Sequence, residues 1–315
     1  MEMQFLKTLE AIRNPVLNWI LQGFTYLGEE TVFMVLAIVF FWCVDKWRGY
    51  YLLSAGFLGT VLSQTMKLIW RVPRPWVRDP SFTVVESAQS GATGYSFPSG
   101  HSQSAACTLG GIARDTKRSW LRWVLLLAVL LVGFSRMYLG AHYPSDVVVG
   151  LALGVFAVLL MHPIIRKARQ SVKFMYGFLF AMLLLTAGYL AYVLLYPFPA
   201  EVRLMDPVTR TSNWENGLKN AWTLLGCVLG LIVSYTADRK TQFSEKAPLL
   251  GQICKVVLGL AILVGLRVVL KKLFGLISEE LCWNALRYFC MVVFAGAIWP
   301  LSVPLWQKVG TKSKK

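Results

Sequence analysis

Long apolar runs separated by short polar segments dominate the chain. A helix needs roughly 20 apolar residues to cross a hydrocarbon core about 30 Å thick, and many of the runs approach or reach that length. They predict spanning helices near residues 31–44, 50–70, 98–113, 122–139, 145–165, 175–196, 221–236, 252–274 and 283–306. The pattern therefore predicts an all-α fold, a polytopic transmembrane helix bundle.

The N-terminal segment shows a different pattern, in which apolar residues recur at helical spacing among polar ones. Phe5, Leu9 and Val16 share one face, whereas Arg13 would be costly in lipid. Residues 5–28 are therefore predicted to form an amphipathic helix that lies along the membrane interface, with a spanning helix as the alternative.

Composition agrees with a membrane protein. Apolar residues make up 56% of the 315 residues and charged residues only 15%, against about 25% charged in soluble proteins. The mean hydropathy is +0.54. The six cysteines lie in or beside apolar runs and form no CxxC pair, which argues against a disulfide framework or a zinc site.

The net charge of +16 is distributed in short basic clusters between apolar runs, as at 114–122 and 166–173. Such clusters mark cytoplasmic loops, so the intervening loops are expected on the outer face. These are loops 71–97, 140–144, 197–220 and 275–282. Nucleic-acid binding is not expected, because the basic residues do not form a hydrophilic face with interleaved aromatic residues.

Three polar motifs recur at one predicted end of the bundle. They are the segments 67–75, 95–102 and 135–146, each at the end or the beginning of a predicted span. Charged residues near the membrane core are costly, so their convergence favours a functional site.

The residue types in these motifs suit phosphoryl transfer. Lys67, Arg74 and Arg136 can neutralise the charge on a transferring phosphate, and arginine adds forked hydrogen bonds to phosphate oxygens. Ser99 and Gly100 follow a proline at a predicted helix N-terminus, where backbone N–H groups favour phosphate binding.

Two histidines can divide the chemistry. One attacks phosphorus while the other protonates the leaving alkoxide. Asp146 lies four residues after His142, and a helix starting near residue 143 would let this carboxylate fix the imidazole tautomer. We therefore assign His142 as the nucleophile, Asp146 as its orienting group and His101 as the general acid.

The pattern K-x6-RP, then PSGH, then SR-x5-H-x3-D resembles that of the type 2 phosphatidic acid phosphatase (PAP2) superfamily. This superfamily includes lipid phosphate phosphatases, undecaprenyl-diphosphate phosphatases, glucose-6-phosphatases and soluble acid phosphatases. The resemblance covers roughly residues 25–165. It implies a phosphohistidine intermediate at His142, with no metal and no other cofactor.

The family core usually has six spans, which the predicted span at 175–196 would complete. The resemblance thus implies a six-helix PAP2-like core plus about three extra C-terminal spans. We expect an amphipathic interfacial helix at 1–28, a catalytic transmembrane core at 29–196 and a C-terminal transmembrane extension at 197–315.

The leading hypothesis is a metal-independent phosphatase of a membrane lipid phosphate or an isoprenyl diphosphate, with its site on the outer face of a bacterial cytoplasmic membrane. One alternative is a phosphatase of a soluble substrate such as a sugar phosphate. Others are a phosphotransferase that uses the same histidine, or a transporter built on the C-terminal spans. The sequence makes no prediction of the oligomeric state.

Overall fold

The chain is all-helical in a computed structural model that describes residues 1–204, 211–278 and 280–310, and these residues include no strand. Segments 205–210 and 311–315 of the predicted C-terminal extension, together with Glu279, lie outside the described residues. The prediction of an all-α bundle is confirmed, because each predicted span corresponds to helical structure.

The N-terminal segment forms two helices where one was predicted. Helix α1 is Glu2–Ala11 and helix α2 is Pro15–Tyr26. Asn14 breaks the run because its extended backbone and its side chain, which accepts a hydrogen bond from the amide of Leu17 at 3.0 Å, start a new helix. Pro15 at the first helical position has no N–H to satisfy.

The next elements lead to the first polar motif. Helix α3 is Glu30–Val44 and is bent by 47° relative to α2. Helix α4 is Lys46–Trp70, and two short helices follow, α5 (Pro75–Arg78) and α6 (Glu86–Ser90).

The helices that carry the other two motifs come next. Helix α7 begins as Gly100–Ala105, continues through a π-helical turn, Ala106–Gly110, and ends as Gly111–Asp115. It is followed by α8 (Ser119–Tyr138), α9 (Pro144–Gln170) and α10 (Val172–Leu195).

The remaining helices of the described chain are α11 (Asn213–Thr241), α12 (Leu249–Gly275) and α13 (Trp283–Trp306). Within the described residues, seven helices are long and apolar enough to cross a membrane, or eight if the bent pair α2 and α3 forms one span. The chain is therefore a multi-span membrane protein.

Helices α7 and α9 approach each other closely because two glycines of α9 face α7. A Cβ atom on Gly150 would lie 2.5 Å from the carbonyl oxygen of Ser99, and one on Gly154 would lie 2.5 Å from the Cβ of Ala106. Small residues at such positions let helix backbones pack tightly in a membrane. This packing fixes the beginning of α7 against the beginning of α9.

The chain divides into two compact units. The first contains residues 1–36, 51–164 and 196–217, and it includes all three polar motifs. The second contains residues 37–50, 165–195 and 218–315. The predicted division into segments 1–28, 29–196 and 197–315 stays a prediction.

Candidate active site

His142 lies in the tight turn between α8 and α9. The turn forms because Gly140 adopts a left-handed conformation, with φ of +84°, that few other residues tolerate. The amides of Ala141 and His142 then donate to the carbonyl of Arg136, at 2.9 and 3.2 Å. Pro144 begins α9 immediately afterwards, so His142 is held between two helix ends.

Asp146 lies in the first turn of α9 and is almost completely buried. Its Oδ2 atom accepts three hydrogen bonds, from Nδ1 of His142 at 3.2 Å, from the amide of Tyr143 at 2.9 Å and from the hydroxyl of Ser96. The amide of Ser99 donates to the carbonyl of Asp146 at 2.9 Å. The carboxylate therefore joins the second motif to the third.

Arg74 determines which nitrogen of His142 carries the proton. Its Nη1 atom lies 2.8 Å from Nε2 of His142. Because a guanidinium group only donates hydrogen bonds, Nε2 must accept here, and the proton lies on Nδ1, where it bonds Asp146. Nε2 of the neutral imidazole thus points its lone pair toward the cationic side of the site.

The position of Arg74 is fixed by backbone carbonyl groups. Its guanidinium donates to the carbonyls of Thr93, Gly94 and Ala141 at 2.9 to 3.0 Å. Arg74 therefore links the loop before α7 to the turn that carries His142.

The electrostatic surroundings of His142 favour its neutral form. Burial of the imidazole and the positive charges of Arg74, Arg136 and Lys67 lower the pKa of His142 well below its usual value near 6.5. A neutral imidazole at physiological pH is the form that can act as a nucleophile.

Arg136 supplies unused hydrogen-bond donors. The residue is 1% exposed, and its Nε and Nη2 atoms have no hydrogen-bond partner within the described part of the chain. A buried guanidinium without partners is costly. It is the arrangement expected of a group that binds an anion in the working site.

Lys67 is also buried, near the end of α4, and donates to the carbonyl of Tyr95. The chain leaves α4 through Arg71, which has a left-handed backbone with φ of 50°. The amide of Ser96 donates to the carbonyl of Val72 at 2.8 Å. The first motif is thereby joined to the second.

A helix begins at Gly100, where the sequence predicts a phosphate-binding N-terminus. Ser99 is the N-cap residue, and its hydroxyl accepts from the amide and the hydroxyl of Ser102 at 3.4 and 2.9 Å. A Cβ on Gly100 would meet no described atom within 4 Å. His101 follows in the first turn of α7.

The structure thus brings together the residues predicted from the sequence. Hydrogen bonds join Arg74, His142 and Asp146 directly, and Ser99 is bonded to the backbone of Asp146. Sequence reasoning missed Ser96, whose hydroxyl donates to Asp146. Its place three residues before Ser99 in the second motif was the available signal.

Metal ligands do not cluster in the described part of the chain. No group of three or more His, Cys, Asp or Glu side chains among those residues could hold a metal ion.

Comparison with known proteins identifies the family. A family model described as PAP2 superfamily matches residues 46–170, which contain all three motifs. A second, described as PAP2 superfamily phosphatase, transmembrane extension, matches residues 222–305.

Two relatives from Bacillus subtilis (strain 168) illustrate the similarity. Phosphatidylglycerophosphatase B is 28% identical over 179 residues, which are 52% of this chain and 83% of the relative. Undecaprenyl-diphosphatase BcrC is 28% identical over 160 residues, which are 49% of this chain and 79% of the relative.

Among solved structures, the first transmembrane PAP2 type phosphatidylglycerolphosphate phosphatase from Bacillus subtilis is 27% identical. The match covers 53% of this chain and 85% of that one, with a TM-score of 0.45. The two family models and the phosphatase relatives agree with the family resemblance that the sequence motifs indicate. This chain belongs to the PAP2 superfamily and is a phosphate-ester hydrolase of the membrane.

Proposed function

We propose that this enzyme hydrolyses a lipid phosphate or an isoprenyl diphosphate through a phosphohistidine intermediate at His142. The hydrogen-bonded series from Arg74 through His142 to Asp146 carries the proposal, because it places the proton on Nδ1 and directs the lone pair of Nε2 at the Arg74 guanidinium, where a bound phosphoryl group would replace that hydrogen bond. His101 is the general acid and base.

In the first step, Nε2 of His142 attacks phosphorus and the bond from phosphorus to the leaving oxygen breaks. The leaving oxygen takes a proton from His101, which carries that proton in the substrate complex because the anionic phosphate offsets the cations around the imidazole. Asp146 stabilises the positive charge that develops on His142, as a carboxylate does in other imidazole-based catalysts.

In the second step, water attacks phosphorus and the nitrogen–phosphorus bond breaks. The imidazole of His101 takes a proton from that water, which restores the imidazolium, and orthophosphate leaves. For a phosphate monoester, the net reaction consumes one water and releases one alcohol and one phosphate. For a diphosphate, it consumes one water and releases one monophosphate and one phosphate.

Cations stabilise the charge on the transferring group. We assign Arg136 and Lys67 to its equatorial oxygens, and the free donors of Arg136 support this assignment. Backbone N–H groups at Gly100 add a helix N-terminus, which favours anions. Arg74 has a double role, because it orients His142 and can also donate to the phosphoryl group from Nη1.

The substrate class follows from the relatives and from the place of the site. The two Bacillus subtilis relatives are named for phosphatidylglycerophosphate and undecaprenyl diphosphate, whose headgroups are phosphorylated and whose tails are apolar. The site residues lie at the ends of spanning helices. Such a site can bind a headgroup while the tail remains in the bilayer.

We further propose that the site faces the outer side of a bacterial cytoplasmic membrane. Helix α7 runs from Gly100 in the site to Asp115, a length of about 24 Å at 1.5 Å per residue. The connection after Asp115 contains Lys117, Arg118 and Arg122, and such basic clusters favour the cytoplasmic side. The site lies at the other end of the helix.

Phosphate release by purified protein in detergent tests the proposal. Wild type and His142→Ala are assayed against lipid phosphates, isoprenyl diphosphates and sugar phosphates, with and without EDTA. We expect release from lipid or isoprenyl substrates by wild type alone, unaffected by EDTA. Faster release from sugar phosphates would instead support the soluble-substrate alternative, and equal release by His142→Ala would exclude this histidine as the nucleophile.

A further inference from the structure

Helix α1 makes polar contacts with two separate segments of the site. Lys7 forms an ion pair with Asp79 at 2.8 Å, and a carboxylate oxygen of Glu10 accepts from the amide of Thr83 at 2.8 Å. A carboxylate oxygen of Glu2 accepts from the amide of Ser145 at 2.9 Å. Ser145 immediately precedes Asp146, so Glu2 acts as a cap on the start of α9.

The buried face of α1 lies against the turn that carries His142. Leu6 is fully buried, and it forms one apolar cluster with Leu9, Phe82 and Tyr143. Tyr143 is the residue directly after His142. The position of the nucleophile therefore depends on packing with a helix that the three polar motifs do not include.

Arg13, two residues after the end of α1, contacts the same turn near its beginning. It donates to the carbonyl of Tyr138 at 2.7 Å and to the carbonyl of Thr83 at 2.8 Å. A Cβ atom on Gly140 would lie 2.7 Å from its guanidinium. The turn from Tyr138 to Ser145 is thus contacted at both of its ends by α1 and the residues that follow it.

We propose that α1 is a clamp that holds His142 and Asp146 in their reactive arrangement, with Leu6 and Glu2 as positioning residues. This inference rests on the proposed function of His142. Leu6 supports the turn through Tyr143, and Glu2 holds the first turn of α9 through Ser145. Neither side chain belongs to a phosphate-binding motif.

Kinetics on folded protein test the clamp. Leu6→Ala and Glu2→Ala should lower kcat on the order of 10-fold to 100-fold, because small displacements of a reacting group are costly, while KM stays within about twofold. Leu6→Met and Glu2→Gln should recover most of the wild-type kcat, since they retain the volume and the acceptor oxygen, respectively.

Leu109→Ala is the matched control, because Leu109 is 5% exposed and packs with Ala106 and Val129 in another cluster of the same unit. It should lower the unfolding temperature as Leu6→Ala does, with kcat unchanged. An equal loss of kcat in Leu6→Ala and Leu109→Ala would show that Leu6 contributes only to general stability. A wild-type kcat in Glu2→Ala would exclude Glu2 as a positioning residue.

Hydrogen exchange separates failure of the clamp from failure of the proposed function. Amides of segment 139–147 should exchange faster in Leu6→Ala than in wild type or Leu109→Ala. If wild type shows no phosphatase activity but this difference appears, the clamp stands and the assigned chemistry is wrong. Unchanged exchange in Leu6→Ala would overturn the clamp whatever the activity.

Discussion

At the residue scale, the site depends on one carboxylate that serves several partners. Oδ2 of Asp146 accepts from an imidazole, a hydroxyl and a backbone amide, while its Oδ1 has no hydrogen-bond partner among the described residues. We expect its negative charge, and not only its shape, to matter, because the charge can stabilise the cation that forms on His142. The structure therefore predicts separate consequences for losing the charge and for losing the side chain.

Asp146→Asn should lower kcat by about 10²- to 10⁴-fold, because a neutral amide cannot stabilise the positive charge that develops on His142 during the reaction. The fold should persist, since the amide oxygen can still accept from Ser96 and Tyr143. Assays of kcat on a lipid phosphate, normalised to the monodisperse protein peak, check this. Asp115→Asn, at the other end of α7, is the control, and an unaltered kcat in Asp146→Asn would contradict the orienting role.

The lowered pKa of His142 predicts a pH effect on stability. The native state holds the imidazole neutral below pH 6.5, whereas the unfolded chain takes up a proton there. The free energy of unfolding therefore has its full value above pH 6.5. It decreases as pH falls below 6.5, by at most about 1.4 kcal/mol per pH unit.

Unfolding temperatures of wild type and His142→Gln between pH 7.5 and pH 5 isolate this effect. Wild type should lose more stability on acidification than the variant, which has no imidazole at this position. Parallel curves would show that the imidazole is not held neutral.

At the element scale, the junction after α4 is strained because Arg71 adopts a left-handed backbone. Such a conformation costs about 1 to 2 kcal/mol for a residue with a Cβ atom. Arg71→Gly should therefore raise the unfolding temperature, while Arg71→Lys should leave it within experimental error. A lower unfolding temperature in Arg71→Gly alone would show that contacts of the arginine side chain outweigh the strain.

The elements themselves follow from the sequence to different degrees. Spanning helices are predicted well, because lipid requires long apolar segments with satisfied backbone groups. The division between α1 and α2 was missed, although Asn14 followed by Pro15 is a standard helix start, because the apolar periodicity continues across the break. The contacts of α1 with the site could not be predicted, since periodicity identifies a buried face but not its partner.

The candidate site residues stand out in the sequence more clearly than the residues that support them. Residues such as Lys67 and Arg136 stand out because a charged side chain in an apolar segment is energetically costly and is usually retained for a function. Ser96 and Glu2 give no such signal, because a serine or a glutamate in a polar segment is usually solvated. Their partners, Asp146 and Ser145, lie far along the chain and are known only from the structure.

At the scale of the whole molecule, the second compact unit contains its own buried charges. Lys46 forms an ion pair with Asp238 at 2.7 Å, and the carboxylate side chain is only 4% exposed. Lys255 is buried and donates to the carbonyl of Trp42 at 2.6 Å. These contacts join helices that are distant in sequence, so they favour a structural role for this unit.

Asp238→Asn should destabilise the protein by about 3 kcal/mol, because it leaves the ammonium of Lys46 without its carboxylate. The kcat of the protein that remains folded should not change. Arg169→Gln, which removes the more exposed ion pair with Asp45, should cost less than about 1 kcal/mol. A fall in kcat for Asp238→Asn at constant folded protein would instead connect this unit to catalysis.

Two nitrogens of Arg136 have no hydrogen-bond partner in the part of the chain that the structure describes, and this has a consequence for turnover. A buried guanidinium attracts tetrahedral oxyanions, and orthophosphate, the product, carries the same kind of oxygens as the substrate headgroup. Product should therefore leave slowly and compete with substrate. The rate of lipid dephosphorylation should then fall as the phosphate concentration around the site rises.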